Sequence, residues 1–225
     1  KLTYDQKEIF LQNLAYWMID NGWSTIAIEQ AEKNIENNIK HLRALPENVT
    51  ANDVLKLFVD RSGIIREPIP GEIDFAHRTF QEYFAALDAV NKGNIGVLIK
   101  NALDDQWHEV IVLSAGKAPV HLRQRLLLGI LRWGDKQKAH RHKYYLLAVS
   151  CLQSIMDITQ KEEDEIKNRI KKIIPPQNLR EAKQLSSAGE MALPYLKYTK
   201  HYSVTEISNC IMVLWELRGY TQMWG

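Results

Sequence analysis

Apolar residues recur every three or four positions along most of this chain, and that period predicts a mainly α-helical protein. In the first such segment Phe10, Leu14, Trp17 and Met18 share one helix face, which predicts a helix over residues 4–20. The same pattern predicts further helices at about residues 24–42, 51–60, 94–103, 106–116, 119–133, 141–157, 161–173, 178–199 and 203–218.

Several helix starts carry the signature of a capping box, in which Ser or Thr is followed three residues later by Glu or Gln. Each side chain then accepts a hydrogen bond from the backbone N–H of the other residue, which satisfies donors that the helix leaves free. The pairs that fit are Thr3 with Gln6, Thr159 with Glu162 and Ser203 with Glu206, and Asn178 with Glu181 is a close variant.

A single region of the chain reads as β-structure. Residues 64–67 and 72–75 alternate apolar and polar side chains, and residues 68–71 (Pro-Ile-Pro-Gly) supply a turn between them. This pattern predicts one β-hairpin, placed after three helices and before a fourth. That order is typical of a winged-helix domain, which we expect to cover residues 1–91.

From residue 92 to residue 225 the pattern is helical only, with short polar connections and proline between the predicted helices. Short helices joined in this way predict stacked antiparallel pairs. No fixed repeat length emerges from the sequence. The expected fold class is therefore mainly α, a winged-helix domain with one β-hairpin followed by an all-α, HEAT-like helical array.

The helix after the hairpin combines an apolar face with a histidine at its start. Phe80, Tyr83, Phe84 and Leu87 follow the helical period, which predicts that all of them face inward. Asp74 is expected to be the N-cap, so that His77 falls in the first turn. The free N–H groups and the helix dipole favour an anion there.

Residues 74–86 (DFAHRTFQEYFAA) resemble an element near the end of the NACHT module of STAND P-loop NTPases. Residues 61–65, which lead into the hairpin, are also similar to that module, and residues 107–116 resemble the segment that often opens the helical region after its winged helix. In this family the corresponding histidine lies on a winged helix and reaches the β-phosphate of ADP on a preceding P-loop domain. The resemblance thus implies nucleotide sensing by His77, with Arg78 and Glu82 as possible support.

The resemblance also implies partners and cofactors outside this chain. No G-x-x-x-x-G-K-[ST] run and no Walker B strand occur in the sequence, so we expect no catalytic residues and no ATPase activity here. ATP or ADP and Mg²⁺ would be held by an upstream NACHT P-loop domain in cis. The chain would be a regulatory fragment that clamps the ADP-bound, autoinhibited state, and its helical region would sense an unknown protein or other ligand.

His77 and three side chains near it could instead have purely structural roles, unrelated to nucleotide sensing. Gln81 and Glu82 are expected to face solvent or to form local pairs, although Glu82 could instead fix the helix against the preceding domain. Arg78 is close enough to the helix start to approach an anion, but surface arginines are common. His77 itself could be a half-buried packing residue bonded to a neighbouring carbonyl.

Residues 117–143 contain eight Lys or Arg and a single acidic residue, Asp135. Such a stretch is either a set of solvated helix ends or a surface for an anionic partner. The candidate residues for an anionic partner are Arg123, Arg125, Arg132, Lys136, Lys138, Arg141 and Lys143. His140 and His142 are spaced like metal ligands, but no acidic or Cys ligand stands near them, so no metal site is expected.

Two other functions remain open from the sequence. One is a nucleic-acid-binding winged helix with a helical dimerisation domain. The predicted third helix opposes it, because residues 52–60 hold two aspartates and one lysine where a DNA-reading helix is usually basic. The other is a protein-interaction scaffold made of helical repeats alone, which leaves the hairpin and His77 unexplained.

Composition adds little to this picture. The 45% apolar and 25% charged fractions and the net charge of +2 are those of an ordinary globular protein. Cys151 and Cys210 stand apart in sequence, which favours a reducing, cytoplasmic location. No apolar run reaches the roughly 18 residues of a membrane span, and the start at Lys1 reads as the interior of a longer polypeptide.

Overall fold

The computed structural model describes residues 2–186, 193, 194, 196 and 199–222, with side chains up to Leu217. The first part combines four helices with a three-stranded antiparallel sheet of order β1-β3-β2. The elements are α1 (Tyr4–Asp20), β1 (Thr25–Ala27), α2 (Ile28–Ile39), α3 (Ala51–Leu57), β2 (Ile65–Ile69), β3 (Glu72–Phe75) and α4 (Arg78–Asn91). This arrangement confirms the expected winged-helix domain.

Helix α1 has the bounds that the sequence predicts. The Thr3 hydroxyl accepts a bond from the Gln6 N–H at 3.2 Å, and the Gln6 side chain accepts one from the Thr3 N–H at 2.9 Å. Past the C-terminal end of the helix, Gly22 has φ +71°, a left-handed conformation that favours glycine. The predicted capping box and stop are thus both confirmed.

The segment after α1 departs from prediction. A continuous helix over residues 24–42 was expected, but Thr25–Ala27 forms β1 and pairs antiparallel with β3, so that Ile26 lies opposite Ile73. Both of these side chains are buried. The prediction of a helix at residues 25–27 was therefore wrong. A three-residue strand is too short to show an alternation of apolar and polar residues, and its pairing partner is distant in sequence.

The predicted hairpin is present, with an irregular register between Arg66 and Ile69. Arg66 and Asp74 lie opposite each other and form a bidentate ion pair, with N–O distances of 2.8 and 3.1 Å. The predicted third helix is shorter than expected: α3 ends at Leu57 and is followed by a π-helical turn over Phe58–Ser62.

Beyond residue 93 the described residues contain helices and no strand. The helices are α5 (Ile95–Lys100), α6 (His108–Lys117), α7 (Val120–Lys136), α8 (Arg141–Ser154), α9 (Gln160–Ile170), α10 (Leu179–Ser186) and α11 (Val204–Gln222). The expected helical region is confirmed, whereas its HEAT-like character stays a prediction. The helix predicted over 178–199 is α10 as far as Ser186, and its remainder lies largely outside the described residues.

The capping boxes predicted for this region are present. Thr159 and Glu162 exchange both bonds at the start of α9, and Ser203 and Glu206 do so before α11. At the start of α10, the Asn178 side chain accepts a bond from the Glu181 N–H at 3.0 Å. These contacts satisfy backbone N–H groups that the first turns of α9, α10 and α11 leave free.

Helix α4 links the winged helix to the helical region. On one side it packs along α1, where Ala85, Ala86 and Ala89 are fully buried and permit a close approach of the two helices. On the other side it packs against α6, and the Ser114 hydroxyl lies 3.5 Å from the Ala86 carbonyl oxygen. Buried residues of both parts thus form one continuous core, and the domain boundary at 91/92 stays a prediction.

In the helical region, α8 packs against both α6 and α7, and α10 packs against α11. Tyr144 and Tyr145 are buried, and the Tyr145 hydroxyl donates a hydrogen bond to the Asp135 carboxylate at 2.6 Å. Among the helices that the structure describes, none is both long and apolar enough to cross a membrane.

Candidate functional site at the start of helix α4

The start of α4 is held by the sheet beneath it. The last residue of β3, Phe75, is buried, and its ring lies 6.4 Å from that of Phe84 on α4. The backbone N–H of Ala76 donates to the Ile64 carbonyl at 2.8 Å. The chain therefore reaches His77 with the backbone fixed on both sides of the connection.

His77 is the N-cap residue of α4, with extended backbone angles of φ −134° and ψ 136°. It was expected in the first turn behind an Asp74 N-cap, and that expectation was wrong, because Asp74 lies within β3 and pairs with Arg66. The His77 side chain makes no capping bond to the helix. It is exposed, and its ring lies edge-on to that of Phe80 at 5.6 Å.

Phe80 was expected on the buried face of α4 but is 39% exposed. The buried face instead begins one position later, at Gln81, and continues through Phe84 and Ala85. His77, Arg78 and Phe80 consequently form an exposed group around the first turn of the helix.

Gln81 and Glu82 were predicted to face solvent or to form local pairs. The structure buries both, with exposures of 2% and 8%, so neither faces solvent, whereas the local pair is present for Glu82. The Gln81 amide donates to the Trp23 carbonyl at 2.9 Å and so ties α4 to the connection between α1 and β1. The Glu82 carboxylate accepts from Arg78 Nε at 2.8 Å, one helical turn away. Both side chains therefore position α4 within this domain, while Arg78 keeps half of its side chain exposed.

The chemistry available at this site is anion binding. The first turn of a helix presents free N–H groups and the positive end of its dipole. His77 adds a ring N–H donor. Arg78 adds a positively charged guanidinium group, and its bond to Glu82 uses only part of that group's N–H donors. The helix start is not capped by a side chain. The Phe80 N–H donates to the His77 carbonyl at 3.0 Å, which leaves the N–H groups of Arg78 and Thr79 for an external acceptor.

The basic stretch does not form one continuous patch. Arg123 is 3% exposed, and its guanidinium donates to Glu162 at 3.1 Å and to the Asp157 carboxylate at 2.9 Å. It joins α7 to the region before and within α9, so it is not available to a partner. Burial opposes the charge of Arg123, but the bonds to Glu162 and Asp157 raise its pKa.

The other candidates of this stretch differ in exposure. Arg141 is half-buried and its Nε has no hydrogen-bond partner among the described residues. The exposed members are Arg125, Arg132, Lys136, Lys138 and Lys143. Whether any of them meets an anionic partner stays a prediction at this point.

Helix α3 lacks the charge that a DNA-reading helix needs. Its exposed side chains are Asn52, Asp53 and Lys56, and the Asp53 carboxylate caps the helix through Thr50. An acidic cap and a single lysine offer little attraction to phosphates. The element that would enter a major groove is therefore unsuited to it.

No group of three or more His, Cys, Asp or Glu side chains suited to a metal occurs within the described part of the chain. His142 is drawn instead toward α10, with its Nε2 at 3.7 Å from Glu181 Oε2. Burial lowers the pKa of His142, while Glu181 opposes and Arg141 reinforces that shift.

Local spacing in the sequence accounts for two of these side chains. Arg78 and Glu82 are four residues apart, the spacing of a helical ion pair, which identifies Arg78 as the partner in the local pair expected for Glu82. Arg123 precedes Leu126, Leu127 and Ile130 at the spacing of one helix face, which places it on the buried stripe of α7. The local sequence pattern does not predict that Arg123 pairs with Glu162, or that Gln81 contacts Trp23.

Comparison with protein-family models matches residues 2–89 to the winged helix-turn-helix domain C-terminal to NACHT. This confirms the resemblance seen for residues 61–65 and 74–86, and the match includes the start of α4. The similarity noted for residues 107–116 lies outside the match and stays a prediction. The matched part is a winged helix and not a catalytic P-loop core. No curated protein and no solved structure matches the chain.

Proposed function

Since residues 2–89 form a winged-helix domain of the kind that follows NACHT, we propose that they clamp an upstream NACHT nucleotide domain in its ADP-bound, autoinhibited state. In this role His77 donates a hydrogen bond to the β-phosphate of the bound ADP. Arg78 adds positive charge beside it, and Glu82 holds Arg78 in place. The nucleotide and Mg²⁺ belong to the upstream domain of the parent STAND NTPase.

The observation that supports this proposal most is that the fold makes no use of the His77 side chain as a donor. His77 is exposed, makes no capping bond, and is held on a rigid frame between β3 and α4. A donor presented in that way loses little conformational freedom when an acceptor arrives. Its ring lies edge-on to that of Phe80, a contact that leaves the ring nitrogens without a hydrogen-bond partner in the described part of the chain.

Helix α4 offers a route by which the helical region could act on the clamp. The helix that carries His77 at its start packs against α6 through buried residues further along. A displacement of α6 would therefore also displace α4. This would favour the open state, in which the winged helix no longer contacts the bound ADP. This is a two-state equilibrium, and a ligand shifts it only by binding one state more tightly than the other.

We assign the sensing role to residues 92–225, the HEAT-like part of the expected architecture, and place the parent protein in the cytoplasm. Both thiols are free in the structure, which suits a reducing compartment. Signal transduction then consists of ligand binding on the helical region, release of the winged helix, and nucleotide exchange on the domain before it.

The clamp can be tested by adding this chain in trans. The upstream nucleotide domain, loaded with fluorescent ADP, should release it more slowly when this chain is present. An unrelated protein at equal concentration serves as the control. Unchanged release at the highest soluble concentration of the chain would contradict the clamp.

A further inference from the structure

A cleft between α5 and α7 combines a cationic rim with an apolar floor. Its volume is about 580 Å³, within the usual range for ligand sites. His121, Arg125 and Arg132 line it from α7, and Ile99 lines it from α5 together with Leu128 of α7. No residue of the winged helix lines this cleft, so it is separate from the site around His77.

The positive charge of the rim is not neutralised within the described part of the chain. No carboxylate lines the cleft, and no ion pair or side-chain hydrogen bond of Arg125 or Arg132 is found there. Asp135 is the one acidic residue of α7, and its carboxylate is bound by the Tyr145 hydroxyl and by Arg169 Nε at 3.1 Å. It is directed to α8 and α9 and leaves the cleft positive.

The two arginines are seven residues apart on one helix, which separates them by about 10 Å along its axis. Each guanidinium fork can bind a carboxylate with two hydrogen bonds. Between them lies Leu128, which is half-buried, and Ile99 of α5 faces it from the other side. The surface therefore alternates charged and apolar contacts over a length suited to several residues of a peptide.

The floor distinguishes a peptide from a nucleic acid. Single strands are usually held by several aromatic side chains on which successive bases stack. Among the described residues, no Phe, Tyr or Trp lines this cleft, and the His121 imidazole is its one ring. Apolar side chains of a peptide, by contrast, would cover Ile99 and Leu128. An acidic chain with apolar residues fits both the rim and the floor.

We propose that the α5–α7 cleft binds an acidic segment of a partner protein, with carboxylates on Arg125 and Arg132 and apolar side chains on Ile99 and Leu128. This goes beyond the proposed clamp, because it involves no nucleotide and can be measured on the chain as it stands. Loss of the clamp would leave this binding intact, and loss of this binding would leave the clamp intact.

The test uses a fluorescein-labelled synthetic peptide of Glu, Leu and Gly residues and measures its anisotropy at physiological salt. The unaltered chain should bind it, and Arg125→Glu with Arg132→Glu should weaken binding about tenfold or more, since both pairs become repulsive. The matched control is Lys136→Glu with Lys138→Glu. It changes the net charge equally at exposed positions outside the cleft, so its effect should stay within about twofold.

A second variant tests the location without touching the arginines. A Cβ built at Gly96 on the cleft wall meets no atom within 4 Å, so a longer side chain fits there. Gly96→Glu should weaken binding of the peptide several-fold by placing a carboxylate in the cleft. Gly96→Gln has nearly the same size and no charge, and should bind as the unaltered chain does.

Three results would overturn the proposal. The first is that the unaltered chain does not bind the peptide. The second is an equal loss of affinity in both double variants, which would indicate general charge attraction. The third is tighter binding of a single-stranded oligothymidylate than of the peptide, with the same dependence on Arg125 and Arg132. That result would assign the cleft to nucleic acid.

Discussion

The Nε of Arg123 lies 3.1 Å from the Glu162 carboxylate, and this contact joins the buried face of α7 to the capping box of α9. Glu162 also accepts bonds from the Thr159 N–H at 3.0 Å and from the Thr159 hydroxyl at 2.6 Å. Burial opposes the charge of Glu162, yet the bonds from Thr159 and Arg123 lower its pKa below the ordinary value. One ion pair thereby holds two helices and a helix start.

Arg123→Met should destabilise the chain because it leaves the Glu162 carboxylate buried without its cation. Breaking a buried pair from one side costs on the order of 3–5 kcal/mol. Arg125→Met is the matched control, since Arg125 is two residues away on the same helix and exposed. Its effect should remain within about 0.5 kcal/mol. Urea unfolding followed by circular dichroism measures both, and equal midpoints for the two variants would show that the Arg123 network adds nothing.

His142 should make the helical region less stable in mild acid. Burial lowers its pKa in the folded chain, so below the ordinary pKa of about 6.5 the unfolded chain binds more protons than the folded one. The free energy of unfolding should therefore fall as the pH decreases from 7 through that value toward the lowered pKa. If His142 causes this change, His142→Gln should reduce the slope of the free energy of unfolding against pH.

The pH dependence is measured as the difference between variants, because carboxylates also titrate below pH 6. His140→Gln is the control, since His140 is exposed and two residues away. It should preserve the slope of the unaltered chain. Identical slopes for the chain and for His142→Gln between pH 7 and pH 5 would rule out His142 as the cause.

The two thiols should react at different rates. Cys151 is fully buried in α8, and burial raises the pKa of its thiol to about 12. Cys210 on α11 is partly exposed, and burial together with Glu206 raises its pKa to a lesser extent. Because the thiolate is the reactive form, iodoacetamide should modify Cys210 slowly and Cys151 only on unfolding.

Mass spectrometry of peptides after timed alkylation checks this order. Alkylation in urea supplies the reference rate for both thiols. If Cys151 of the folded chain reacted as fast as it does in urea, the close packing of α8 against α6 and α7 would be wrong.

The sequence predicts the features of this fold that local residues determine, such as helix bounds, and misses those that depend on partners distant in sequence. The bounds of α1 follow from its apolar stripe, the Thr3 cap and the glycine at position 22, all of which are local. Strand β1 is held by β3, whose paired residues lie 45 to 49 positions further along the chain. A three-residue strand has no local pattern of its own, so its pairing could not be predicted.

The candidate site was predicted only in part, again because some of its contacts involve residues distant in sequence. The motif identifies His77 and the helix that follows it, and the family match covers both. It does not reveal that Gln81 binds the Trp23 carbonyl, a contact that crosses 58 positions and turns a polar residue inward. Similarly, Arg123 is placed by its face of α7, while its acidic partners lie on a segment that follows α8.

The most direct test of the account is the dissociation rate of ADP from the full-length parent with His77→Leu. Losing one hydrogen bond to a charged group removes about 1.5–3 kcal/mol from the closed state, so ADP should leave roughly tenfold faster or more. His77→Gln keeps a donor and should lie between, while Phe80→Ala changes the neighbouring surface and should have little effect. Thermal unfolding of the present chain should be unaffected by His77→Leu, because His77 is exposed. An unchanged ADP dissociation rate in the correctly folded His77→Leu parent would contradict the proposed clamp.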